Sequence, residues 1–176
     1  MLVGVVLSGL LCVALAWSAR RPAGWPWAVA LGLFAWSLLV LGLITLLPAN
    51  GSPGIVSAEG RLGYCSWDIG GPAPDGFWIV PGGQRLLNLA VFIPSGALLV
   101  LVASRWRRGV WILVPVGFAL IAAYSVGIEL TQLALARLDR ACDVTDMIDN
   151  VTGAGVGVLL GVPLALVLQR WVRRPS

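Results

Sequence analysis

The sequence predicts an all-α membrane protein: a bundle of about five transmembrane helices with one long extracytoplasmic loop. Three observations carry this. Hydrophobic residues make up 59% of the 176 positions and charged residues only 11%. Mean hydropathy is +0.91, so the apolar surface exceeds what a soluble core of this size can hide and lipid must solvate it. The apolar residues also fall into five runs, each near the ~20 residues that cross a ~30 Å hydrocarbon layer.

The first run, Leu2–Ala19, has no basic residues before it and is followed by Arg20 and Arg21, which reads as an N-terminus-out anchor and not as a signal peptide. Ala28–Leu47 is the second run. The third, Leu86–Ser104, is followed by Arg105, Arg107 and Arg108. Val110–Ala136 is the fourth, and Met147–Gln169 the fifth, followed by Arg170, Arg173 and Arg174. In a five-span arrangement these clusters place eight of the twelve Arg, and no acid, on one side. By the positive-inside rule that side is cytoplasmic, the N-terminus lies outside and the C-terminus inside. The whole of 1–176 reads as one multi-pass membrane domain whose first partner is the lipid bilayer.

Pro48–Gln84 is the long link, punctuated by Gly, Pro and Ser and carrying Tyr64, Trp67, Phe77 and Trp78. Its aromatic residues suit a loop resting on the membrane interface, or a surface for an amphipathic ligand. Short strands are expected around Arg61–Trp67 and Gly76–Val80. Cys65 and Cys142 both fall on the outer side, where a disulfide would persist; they either pair or are two unrelated small residues. Cys12 reads as core filler inside the first span.

Every basic residue is Arg and there is no His, which excludes imidazole metal ligands and a His general base. No cofactor or metal is expected. The +4 charge does not signal nucleic-acid binding, because the Arg residues cluster at helix ends and form no stripe.

The chemistry sits between Tyr124 and Gly161. Ser125, Glu129 and Gln132 share one face of the fourth helix by their spacing. In the fifth, Asp146, Asp149, Asn150, Gly153 and Gly157 share a face, and Arg140 and Asp143 lie in the link before it. Asn88, beside Arg85, opens the third span. Topology alone therefore gathers Asn88, Glu129, Gln132, Arg140, Asp143, Asp146 and Asn150 at the outer leaflet, as candidate ligand-binding residues. Arg140 offers a planar fork for phosphate or carboxylate; the acids can orient it, ligate a hard cation or exchange protons. The same groups can instead lock helices together or cap the fifth helix. Gly153, Gly157 and Gly161, four residues apart, are a helix-packing stripe.

Asn88-x-x-x-Phe92-x-Pro94-x-Gly96, Ser125-x-x-x-Glu129-x-x-Gln132 and Arg140-x-x-Asp143-x-x-Asp146-x-x-x-Asn150-x-x-Gly153-x-x-x-Gly157 together resemble the VanZ-like family of bacterial membrane proteins. The resemblance covers about 85–161. It departs from the family pattern in the Leu133–Asp139 link, which has no Pro-Gly turn before Arg140, and at Ser95, where a bulky apolar residue is usual. The resemblance implies a multi-pass cell-envelope protein of the kind whose namesake gives low-level resistance to the glycopeptide teicoplanin. The reading that follows is an envelope protein binding a lipid-linked or amphipathic ligand at the outer leaflet. The alternative is a membrane-embedded enzyme acting on a phospholipid or lipid-linked sugar headgroup, against which stands the lack of an activated Ser or Cys in the set. Ion transport is a third reading, but it asks for acids spread through the bilayer, and here they gather at one end.

Overall fold

The computed structural model describes residues 2–46, 63–67, 69, 83–135 and 142–172. They form five helices: α1 (Leu2–Ala23), α2 (Trp25–Leu46), α3 (Gly83–Ala103), α4 (Val110–Leu135) and α5 (Val144–Val172). All five are long and apolar enough to cross a membrane. Their outward faces carry exposed Leu, Val and Ile, such as Val6, Leu10 and Val13 of α1 and Leu159, Val162 and Leu166 of α5. In water such a surface would aggregate; in lipid it is solvated.

All the helices but α4 run past at least one end expected from hydropathy, where backbone chemistry lets them continue. α1 passes through Arg20, Arg21 and Pro22, and Gly24 then stops it with a φ of 85° that a side chain would resist. The Gly24 carbonyl also accepts the Ala28 N–H at 3.0 Å, so one residue ends α1 and opens α2. The two pack as a tight hairpin: a Cβ on Gly32 would stand 2.8 Å from the Cys12 carbonyl oxygen. α5 starts at Val144, three residues before the apolar run begins, because Asp143 caps it: its Oδ1 accepts the Thr145 N–H at 2.8 Å. Of the expected strands, Gly76–Val80 lies outside the described residues. Around Arg61–Trp67 no ladder forms among them; a single parallel bridge joins Ser66 to Asp143.

The most extensive helix contact is between α3 and α5. A Cβ at Gly153 would collide with the Leu89 carbonyl oxygen, one at Gly157 with that of Ile93, and one at Gly161 would stand 2.8 Å from that of Ala97. Gly96 answers from the other side, seated against the Ala154 carbonyl. The partners advance four residues at a time on both helices, so α3 and α5 run parallel with their four-residue ridges interlocked. α4 returns between them, running antiparallel. It is tied to α2 through Tyr124 Oη, which donates to the Leu38 carbonyl at 2.8 Å. Leu41, Phe92, Leu99, Ile121, Ile128 and Ala154 form the buried core where α2, α3, α4 and α5 meet.

The two ends of the bundle differ in chemistry. Arg20, Arg21, Arg105, Arg107, Arg108 and Arg170 gather at one end, without an acid among the described residues there. Cross-ties hold this end together: Arg105 Nε donates to the Ala23 carbonyl at 3.1 Å, Trp27 Nε1 to Ser104 Oγ at 3.3 Å, and Gln169 Nε2 to the Ser104 carbonyl at 3.1 Å. The Arg20 guanidinium lies over the Trp17 ring, 3.2 Å from its centroid. Arg85, Glu129, Asp143, Asp146 and Asp149 stand at the opposite end.

Candidate functional site

At the acid-bearing end α2, α3, α4, α5 and one loop segment converge. A disulfide joins Cys65 to Cys142 with the Cα atoms 4.5 Å apart. Beside it Ser66 N–H donates to the Cys142 carbonyl at 2.8 Å, and Val144 N–H donates to the Ser66 carbonyl at 3.1 Å. The loop is thus sewn to the residue that caps α5. Asp143 faces both ways from there: its carboxylate holds the first turn of α5, and its N–H donates to Glu129 Oε2 of α4 at 3.3 Å.

Beneath this seam the side chains are polar although they lie among apolar helices. Glu129 is 3% exposed, and Ser125, Gln132 and Asn150 are equally enclosed. Asn150 Nδ2 donates to Ser125 Oγ at 3.0 Å, joining α5 to α4. Gln132 Nε2 donates to the Thr45 carbonyl at 3.0 Å, joining α4 to α2. Of the residues singled out by spacing, Asn88, Glu129, Gln132, Asp143, Asp146 and Asn150 do stand at one end of the bundle. Arg140 lies outside the described residues. Gly153, Gly157 and Gly161 line the α3–α5 seam and take no part in the polar set.

Asn88 is unlike its neighbours. It is 9% exposed, and its Nδ2 has no hydrogen-bond partner. It shares a helix face with Phe92, Ser95 and Leu99, four, seven and eleven residues on, which point into the bundle. Ser95 Oγ lies 3.0 Å from Ser37 Oγ of α2, and Leu99 presses against Gly117 of α4. The unpaired amide therefore lies on the bundle-facing side of α3, at the same end as Ser125, Glu129, Gln132 and Asn150. A buried donor left without an acceptor costs about 1–3 kcal/mol.

The rim is formed by a residue to which spacing assigned no role. Arg85 Nε donates to Asp149 Oδ2 at 2.9 Å and its Nη2 to Oδ1 at 3.1 Å, a two-pronged ion pair across the top of the α3–α5 seam. The guanidinium is 43% exposed while the carboxylate is 9% exposed, so the pair has a wet side and a dry side. A signal for it existed: Arg85 is the only cation at this end among the described residues, and Asp149 heads the glycine stripe that meets its helix. Among the described residues no group of three or more Cys, Asp or Glu is placed to hold a metal ion.

A bundle of five apolar helices fits the multi-pass protein that the VanZ resemblance implied. The VanZ/LLP1 family model matches residues 10–167, from inside α1 to inside α5. The chain belongs to the VanZ/LLP1 family. The match extends well beyond the 85–161 motifs and takes in most of the α1–α2 hairpin as well as the core that carries Asn88 and Glu129. No curated protein and no solved structure matches the chain. Family membership and five spanning helices make this a multi-pass membrane protein.

Proposed function

We propose that this VanZ-family protein binds an amphipathic or lipid-linked ligand at the outer leaflet, with the acid-bearing end of the bundle extracytoplasmic and the arginine-rich end cytoplasmic. The observation that carries the reading is the unpaired Nδ2 of Asn88, buried at the same end of the bundle as Glu129, Gln132 and Asn150. Enclosed polar groups of this kind are normally satisfied, and one left unpaired is an opening for a ligand oxygen. Apolar helix faces would hold the ligand's tail, and the half-exposed Arg85–Asp149 pair would meet its head. Arg140 is proposed as a further donor at the rim. Through the family, the same ligand binding is the proposed link to glycopeptide (teicoplanin) resistance in the cell envelope.

Two measurements test this. Accessibility labelling from outside should modify a cysteine placed at Ser57 and spare one placed at Gly109; the reverse pattern would sink the outer-leaflet placement. Arg140→Ala, Asp146→Asn and Glu129→Gln should each lower lipid retention by the purified protein while membrane abundance holds. If retention falls only in step with abundance, these residues are scaffold and bind nothing.

A further inference from the structure

A phosphate headgroup needs surplus positive charge and free donors, and the described residues at this end of the bundle supply neither in excess. The one described guanidinium is held two-pronged by Asp149. Asp143 and Asp146 also lie within electrostatic reach of it. Across the whole chain, all eight acids but only four of the twelve Arg fall in or beside the segments that join helices at this end. An anion entering there meets a net negative field inside a poorly screening surround, which disfavours it.

The unpaired Asn88 Nδ2 nevertheless asks for an acceptor. A hydroxyl satisfies both demands, because it accepts from an amide and donates to a carboxylate through the same oxygen. A third feature stands next to these. Tyr64 and Trp67 flank the Cys65–Ser66 pair that is fastened to Cys142 and Asp143, and Trp67 is 75% exposed. Exposed flat rings next to this seam offer a stacking face to a ligand whose rings have one apolar side and polar edges.

We infer that the headgroup recognised at this end is an uncharged, hydroxylated sugar, with Asn88 donating to a sugar oxygen and Trp67 stacking on a sugar ring. This rests on the outer-leaflet ligand site proposed above and names the class of its ligand.

The test uses the full chain purified in a detergent without a sugar headgroup. It is titrated with digalactosyl diacylglycerol, phosphatidylglycerol or phosphatidylcholine, and retained lipid is read by native mass spectrometry. The glycolipid should be retained about tenfold over phosphatidylglycerol, the equivalent of one good hydrogen bond. Asn88→Leu should lower glycolipid retention about tenfold and at the same time raise the unfolding temperature, since it removes an unpaired buried donor. A scaffold role for Asn88 predicts the opposite shift in temperature. Trp67→Ala, at an exposed position, should lower glycolipid retention by about two- to tenfold. Added maltose that competes assigns the recognition to the sugar itself; failure to compete, with glycolipid still preferred, assigns it to sugar presented on lipid. Both results support the inference. Phosphatidylglycerol retained as well as or better than the glycolipid overturns the sugar assignment and leaves the ligand site standing. No lipid retained above phosphatidylcholine overturns the site as well.

Discussion

The α3–α5 seam and the buried polar residues beside α4 lie within one bundle but are held together by different physics. Along the seam the backbones themselves touch: Gly153, Gly157 and Gly96 bring helix carbonyls to where a Cβ would sit. Below the Arg85–Asp149 pair, contact there is by shape, as expected where lipid offers no hydrophobic drive between helices. Around the buried polar residues the helices are joined by single side-chain bonds, from Asn150 to Ser125 and from Gln132 to the Thr45 carbonyl. The difference teaches where this molecule tolerates polarity. Amides and carboxylates collect where helices are joined through side chains, and the close seam supplies the rigidity that keeps them in place.

The comparison breaks first at the seam. Gly157→Leu would drive a side chain into the Ile93 carbonyl with Gly96 Cα 3.0 Å behind it, so α3 and α5 must part. A loss of about 3 kcal/mol or more is expected, seen as disappearance of the monodisperse peak after detergent extraction. A normal peak would mean that the seam is not the rigid half. Next in size is the clasp over the polar residues. Replacing Cys65 and Cys142 together by Ser should lower the thermal stability by about 2–4 kcal/mol, and reduction of the wild type should give the same shift. No shift on either treatment would show that the loop segment rests on the polar residues without holding them.

A smaller effect is expected at the rim. A double-mutant cycle over Arg85→Gln and Asp149→Asn should return a small but measurable stabilising coupling, limited by the wet side of the guanidinium. A coupling near zero would assign the pair to the surface class of ion pairs that contribute little. The smallest change sharpens the contrast from the other side. Gly127 of α4 has open space around it, so Gly127→Ala should stabilise the protein by about 0.5–1 kcal/mol, read as a higher melting temperature. The same substitution at Gly157 should destabilise it.

Much of this was legible in the sequence. Five apolar runs give five helices, and the acid and arginine clusters separate to opposite ends, because hydropathy and charge act locally. The helix ends were less legible. Hydropathy places the start of the fifth helix at Met147, but Asp143 caps the chain at Val144, since a helix continues until its backbone donors are met and not until lipid ends. Counting spans shows that α3 and α5 run the same way, yet it does not show that Arg85 lies level with Asp149. That register is set by which glycine faces which carbonyl, a relation between segments far apart in the chain. Asn88 was legible as a polar residue near a membrane surface. That its amide would lack an acceptor depends on every neighbour at once, and spacing carries no such information.

The parallel pairing of α3 with α5 also sets an order of events during synthesis. α4 must cross back before α5 can cross in the sense that α3 did, so the closest contact of the bundle cannot form until four helices are already in the bilayer. Until then the carbonyl ridge at Leu89, Ile93 and Ala97 of α3 has lipid against it. The arrival of α5 displaces that lipid, seats Asp149 against Arg85 and brings Cys142 to Cys65. The polar set is therefore completed only when α5 inserts, and a chain halted before α5 lacks Asp149 and Asn150.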